Sequence, residues 1–228
     1  ERKLAQVKVL ASPEEAAESM RGLSFSGLDV EVVDYLNSAD FELLAQTLYE
    51  RRKAKGLSEQ EAREMCKNRL YFGNLMLNRG LVGGLVAGAV ASTPDMLRSA
   101  FHCIGTAKGI RIGSSCFVMD LARPSEAGDE TLIFADSGVN PNPSAEELVD
   151  IAISTIHTHQ ALMDSQPRLA FLSYSTKGSA KGELVDKMSQ AAEMTAKRCA
   201  ELGLQALVDG ELQLDAAIVP SVAAAKAP

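Results

Sequence analysis

Several things are scarce in this sequence, and each scarcity removes a class of function. No apolar run approaches the ~20 residues that cross a bilayer, so nothing reads as a membrane span. Bases do not exceed acids: 23 Lys and Arg face 30 Asp and Glu, a net charge of −7. A sequence-independent nucleic-acid binder must neutralise phosphates, so that role is not expected. The four cysteines, Cys66, Cys103, Cys116 and Cys199, lie far apart without a C-x-x-C pair. They supply neither a disulfide framework nor a zinc ribbon, and read as reduced packing thiols of a cytoplasmic protein. The three histidines form no H-x-x-x-H or Ser/His/Asp pattern, and no metal site is expected. His159 reads as a core or interface imidazole, His157 as solvated, and His102 lies late in the helix of Arg98. There is no initiator Met, no secretory pattern and no internal repeat. Both ends read as cut, so the chain is expected to be incomplete at each.

What is present is the balance of an ordinary globular protein, 46% hydrophobic and 23% charged over 228 residues. That length suits one large domain or two small ones. Strand and helix signals alternate. Gln6–Leu10 and Val30–Val33 read as strands, and Ser12 followed by Pro13, Glu14 and Glu15 reads as a helix start. Asp40 is expected to cap a helix whose Phe41, Leu44, Ala45 and Leu48 share one face, with Gly56 just past its end. Ser58 and Ser144, each followed three residues later by Glu, read as capping boxes. Leu81–Ala87 is apolar on both faces and predicts a central parallel strand. Ser115–Leu121 and Thr131–Ala135 suggest an antiparallel pair. Leu169–Tyr174 and Leu204–Asp209 are further strands, Glu183–Leu202 a long helix, and the chain is helical again from Asp215. The pattern predicts an α/β fold with mostly parallel sheets. A boundary is expected near 122–130, giving 1–122 and 123–228.

In open α/β sheets ligands bind beyond the carboxyl ends of strands, so three junctions are candidates. The first is Gly88–Thr93 and the helix from Pro94. Ser92 and Thr93 offer hydroxyls, the helix start offers free N–H groups, and Arg98 follows one turn later. A cation there opposes the helix dipole. The residues allow an anion clamp or a surface ion pair with an acid such as Asp95. The second junction, Ser173–Ala180, is not a Walker A loop. Its two-sided reading is a phosphate-binding loop using Ser175, Thr176, Lys177, Gly178 and Ser179, or a Ser/Thr-rich turn with a helix cap. The third, Asp209–Asp215, carries Asp209, Glu211 and Asp215, readable as metal ligands, solvated acids or acids bonded to backbone. Arg52 falls on the apolar stripe of its helix, where it either snorkels or reaches into a cleft.

At these junctions the sequence resembles the phosphate acetyltransferases (phosphotransacetylases). The likeness rests on the block Phe171–Ala180 and the block Asp209–Pro220. Tyr49–Gly56, Tyr71–Gly73, Ser92–Arg98 and Phe134–Ser137 follow in the same register, from about Ala5 to Pro228. The Ser-Tyr-Ser-Thr-Lys-Gly-Ser-Ala run also differs from the related domain fused to malic enzymes. The resemblance implies two α/β lobes with a cleft between them, an isocitrate/isopropylmalate dehydrogenase-like architecture, and a homodimer. It implies reversible acetyl transfer between acetyl phosphate and coenzyme A, an acyltransferase reaction of acetate metabolism. Coenzyme A and acetyl-CoA are then substrates, and no cofactor is tightly bound. An aspartate deprotonates the thiol, the thiolate attacks the acyl carbonyl, and phosphate leaves. Arg52 and Arg98 match two site arginines of the family that stabilise the phosphate. Ser92, Thr93 and the loop Ser175–Ser179 match substrate-binding positions.

The sequence also departs from the family. The Asn-Asp-Leu-Ser-Arg-Gly segment that carries the aspartate is absent, and residues 1–228 alone are expected to be inactive. The usual Gly-Glu-(Ala/Val)-Asp-Gly reads Gly80-Leu81-Val82-Gly83-Gly84, and the usual His and Pro near Arg98 are Ala91 and Ser99. These changes leave two alternatives. One is a catalytically impaired acyl-CoA-binding regulatory domain. The other is an acyltransferase preferring longer acyl phosphates.

Overall fold

The computed structural model describes residues 5–22 and 28–227, and falls into two compact units, Glu1–Gly105 and Thr106–Pro228. It is a mixed α/β structure with short, largely parallel sheets. The connector 122–130, expected at the boundary, instead turns between two strands within the second unit.

In the first unit, β1 (Val7–Leu10) pairs in parallel with β2 (Val30–Val33), with α1 (Pro13–Ser19) beginning the crossover. Helices α2 (Phe41–Arg52), α3 (Glu59–Cys66), α4 (Arg69–Asn78) and α5 (Thr93–Cys103) follow. The spacing on α2 works as expected, since Leu44, Ala45 and Leu48 are buried. They meet Phe72 and Leu75 of α4, with Leu10 and Val33 of the sheet against them. Each such large side chain contributes about 1.5–3 kcal/mol on burial.

The capping boxes at Ser12, Ser58 and Ser144 are all formed, each Ser bonding the N–H of a Glu that bonds back. Asp40 behaves differently. Its backbone is already helical (φ −81°, ψ −10°), so its carboxylate cannot reach the exposed N–H groups. Ser38 caps the turn instead, accepting the Asp40 N–H on its hydroxyl. Gly56 closes the end of a 3₁₀ turn, Lys53–Lys55, at φ +89°, a conformation open to glycine.

The expected central strand Leu81–Ala87 is absent. Among the described residues no strand pairs with this stretch, and a parallel strand exists only through its neighbours. Gly83 and Gly84 further weaken extended pairing. The segment docks by side chains alone: Val82 packs against the core, and Leu85 lies over Gly73 of α4, where an added Cβ would stand 2.9 Å from Leu85 Cδ1. Val86 and Val90 are fully exposed.

In the second unit, β3 (Cys116–Asp120) and β4 (Thr131–Ala135) form the expected antiparallel pair. β5 (Arg168–Leu172) and β6 (Leu207–Leu212) are parallel. β6 begins three residues later than expected, because the exit of the long helix α7 (Glu183–Leu202) occupies them. Gly203 turns left-handed at φ +68° and the Leu204 N–H bonds back to Cys199. Helix α6 (Ala145–Leu162) packs on α7, burying Ala152, Ile153, Ile156, Ala191 and Cys199. Two short helices, α8 (Leu214–Ile218) and α9 (Pro220–Lys226), follow. An open, mostly apolar groove of about 1090 Å³ runs along β4, α6, β5, β6 and α8.

Candidate functional site

In the first unit the site is built at the start of α5. Ser92 is the N-cap: its hydroxyl accepts the Asp95 N–H (3.3 Å) and donates to Asp95 Oδ2 (2.6 Å). Pro94 occupies the first turn, where a missing N–H costs nothing. Thr93 is exposed. Arg98 pairs with Asp95 (Nη1–Oδ1, 3.0 Å), both side chains more than half exposed. This is the surface ion pair that the sequence allowed, and an exposed pair of this kind is worth about 0–1 kcal/mol.

Arg52 lies half-buried in the last turn of α2, and among the described residues its guanidinium makes no ion pair. Its neighbour Arg51 is used structurally, donating to the Ile104 carbonyl at 2.6 Å. Arg52 and Arg98 act on the same side-chain pair. The Tyr71 hydroxyl of α4 lies 3.0 Å from His102 Nδ1 of α5. Burial, reinforced by the charges of Arg52, Arg98 and Lys55, lowers the pKa of His102. Burial raises that of Tyr71, with Arg98 and Arg52 opposing. Tyr71 and His102 are 31 residues apart, and only the i, i+4 spacing of Arg98 and His102 hints at a shared face.

Cysteine chemistry is excluded at this site. Burial pushes the thiols of Cys66 and Cys103 up to about 12, so neither is a thiolate near neutral pH.

In the second unit the loop after β5 turns its polar groups inward. Glu211 is 5% exposed. It is the extra residue of a bulge, since Phe171 pairs with Gly210 and Leu172 with Leu212. Its Oε1 accepts the Gly178 N–H (2.7 Å) and the Ser175 hydroxyl (3.0 Å), and its Oε2 accepts the Ser189 hydroxyl (2.6 Å). These bonds, that from Ser189 foremost, lower its pKa to about 2 against the opposing effect of burial. The Thr176 hydroxyl accepts the Gln213 N–H (2.9 Å), and the Ser179 hydroxyl accepts the Thr176 N–H (3.0 Å). Ser175 and Thr176 are buried, whereas Lys177, Gly178 and Ser179 are exposed. Lys177 adopts φ +47° and pairs with Asp209. Asp215 pairs with Lys226 (2.7 Å). The three acids of this junction thus hold backbone and cations, and the described residues contain no group of three or more His, Cys, Asp or Glu arranged to hold a metal.

A second internal node is Asp136, at the end of β4. It accepts from Ser115 N–H (2.9 Å) and hydroxyl (2.6 Å) and from Asn140 N–H (2.6 Å) and amide (2.7 Å). Burial would raise its pKa, but these bonds together hold it well below the usual carboxylate range. Of the remaining histidines, His157 is exposed and His159 Nε2 lies 3.4 Å from the Ser165 hydroxyl.

The chain is similar to known proteins over almost all its length. The phosphate acetyltransferase of Thermoanaerobacterium thermosaccharolyticum is 41% identical over 225 residues, covering 99% of this chain and 67% of that protein. That of Clostridium acetobutylicum is 42% identical, covering 99% and 66%. A phosphotransacetylase structure from Streptococcus pyogenes superposes with a TM-score of 0.80 at 38% identity, covering 96% of this chain and 64% of that one. One from Staphylococcus aureus gives 0.80 at 36%, covering 94% and 62%. The chain spans about two thirds of the length of the curated relatives it matches. Among the described residues no helix is long and apolar enough to cross a membrane. The profile of the family described as phosphate acetyl/butaryl transferase matches residues 1–228, and the chain belongs to that family.

Proposed function

We propose that the protein carrying this chain is a phosphate acetyltransferase, moving an acetyl group between phosphate and coenzyme A. The observation that carries the reading is the match of residues 1–228 to the family, with Arg98 one turn into the eleven-residue helix α5 and Arg52 half-buried at the end of α2. Two guanidiniums and the free N–H groups of a helix start make a site for a phosphoryl dianion. Arg98 exchanges Asp95 for the phosphoryl oxygens when acetyl phosphate binds. The thiolate of coenzyme A then attacks the acyl carbonyl, a C–S bond forms, the C–O bond to phosphate breaks, and the electron pair leaves on phosphate. The arginines stabilise that developing charge. Ser92 and Thr93 border the anion. In the second unit, exposed Lys177, Gly178 and Ser179 contact the substrate, while Ser175 and Thr176 hold that loop in shape through Glu211 and Gln213. Coenzyme A is a substrate, and no tightly bound cofactor takes part. The reading includes two α/β lobes of dehydrogenase-like architecture, a homodimer and a cytoplasmic location.

An acetyl phosphate and coenzyme A assay on the full-length protein tests it. Arg52→Ala and Arg98→Ala are each expected to lower turnover about 10²–10³-fold, as loss of a transition-state donor does. Retention of wild-type turnover by both variants overturns the assignment. The apolar Leu81 and Gly83, where the resembling family carries acids, favour a second reading: an acyl-CoA-binding regulatory domain. Binding of coenzyme A by calorimetry without turnover would select it.

A further inference from the structure

The loop after β5 has the residues of an anion cradle but not its free donors. An anion-binding loop offers backbone N–H groups to its ligand. Here the N–H groups from Ser175 to Ala180 are all bonded within the protein. That of Ser175 donates to the Ser173 hydroxyl (3.2 Å), that of Thr176 to the Ser179 hydroxyl (3.0 Å) and that of Ala180 to the Ser175 hydroxyl (3.0 Å). Ser179 donates to the Thr176 carbonyl (3.1 Å) and Lys177 to the Glu211 carbonyl (3.2 Å). Gly178 donates to Glu211 Oε1 (2.7 Å). The buried Glu211 carboxylate, which also takes the hydroxyls of Ser175 and Ser189, thus sits where a bound anion would sit.

What the loop turns outward is the Lys177 side chain. Lys177 and Gly178 are left-handed in succession, at φ +47° and +81°, and a lysine rarely holds that conformation unaided. Glu211 grips the turn at both N–H groups, its carbonyl on that of Lys177 and its carboxylate on that of Gly178. The Lys177 side chain is 44% exposed and its ammonium pairs with Asp209, two residues before Glu211 on β6. An ammonium carries three donors, so this pair leaves protons for a ligand.

Resting on the reading that this loop contacts the substrate, we infer that Glu211 is a positioning residue for Lys177: it fills the anion seat itself, and the loop meets a phosphate group through the Lys177 ammonium rather than through its backbone. Both acetyl phosphate and coenzyme A carry phosphate, and an ammonium is a point charge that serves either. The substrate whose KM responds identifies the source.

Steady-state kinetics of the full-length protein, with one substrate varied at a time, test it. Lys177→Met removes the charge and keeps the length. It is expected to raise the KM of one substrate about tenfold with kcat within about threefold, the scale of one lost hydrogen bond to a charged group. Glu211→Ala is expected to raise the same KM about as much. Glu211→Gln, whose side chain still accepts from Gly178, is expected to stay within about threefold of wild type. The double variant Lys177→Met/Glu211→Ala is expected to match the worse single variant, because Glu211 then has no ammonium to position. Far-UV circular dichroism checks that each variant is folded. If Glu211→Ala does not fold, Glu211→Asp bears the test. It keeps the charge but withdraws the carboxylate by one methylene, and a rise of about threefold in that KM is expected. If Lys177→Met changes neither KM, the loop does not meet the substrate, and the inference falls with that part of the proposed function. If Lys177→Met raises a KM that Glu211→Ala and Glu211→Asp leave at the wild-type value, only the role of Glu211 is refuted. Effects that multiply to about a hundredfold in the double variant, or a Glu211→Gln variant as impaired as Glu211→Ala, also overturn the inference.

Discussion

Replacing Glu211 with glutamine keeps the shape of the side chain and removes the charge around which the loop 175–180 folds. The carboxylate is 5% exposed and receives three short hydrogen bonds, from Gly178, Ser175 and Ser189. Its pKa falls from 4.5 to about 2. At about 1.4 kcal/mol per tenfold, that difference amounts to roughly 3 kcal/mol favouring the charged form in the folded protein. The sign follows from the direction. A depressed carboxylate stabilises the fold fully above 4.5, and the contribution fades as the pH falls from there through about 2. Glutamine resembles the protonated acid: its oxygen still accepts from Gly178 and Ser175, and its amide donates to Ser189. Glu211→Gln is therefore expected to cost about 2–3 kcal/mol at neutral pH and almost nothing near pH 2. Urea unfolding of wild type and variant across that pH range measures the difference, and hydrogen exchange at the Gly178 amide locates it. A difference constant across pH, as a steric fault would produce, or none at neutral pH, refutes the reasoning.

Gly210→Ala tests the same bulge by steric means. An added Cβ would lie 2.7 Å from Phe171 Cβ and 3.2 Å from the Phe171 carbonyl oxygen, at φ +152°. A cost of about 2–4 kcal/mol in thermal unfolding is expected. Gly138→Ala, where nothing lies within 4 Å, serves as the near-neutral control. An equal effect of the two substitutions contradicts the packing described for β6. The thiols provide a third test. In the native protein at mildly alkaline pH, Cys116 is expected to react with an aromatic disulfide reagent. Cys66 and Cys103, fully buried with pKa values pushed up to about 12, are expected to react only on unfolding. Rapid labelling of all three in the folded state removes the basis for excluding cysteine chemistry.

Much of the local structure was legible because its causes are local. A Ser and a Glu three residues apart satisfy each other's N–H groups whatever surrounds them, so three helix starts stood where expected. The buried face of α2 followed from periodicity. The motifs around Arg52, Arg98 and Ser175 pointed to the right family, as the relatives show. Where neighbours decide, the same signals misled. Leu81–Ala87 has the composition of a buried strand, yet among the described residues no partner strand meets it. Asp40 has the right side chain for a cap but the wrong backbone angles.

The sequence alone therefore determined the alternation of elements, the helix starts and the kinship, because these depend on residues a few positions apart or on the motif itself. Tertiary structure alone decided where the polar groups point. Glu211 leaves the face of Asp209 because one extra residue bulges out of β6, and the Ser175 hydroxyl then bonds it rather than a ligand. Tyr71 meets His102, and both feel Arg52 and Arg98, because α2, α4 and α5 close on a shared core. A buried polar atom takes whichever partner the packing brings within 3 Å, and that partner lies tens of residues away in the chain.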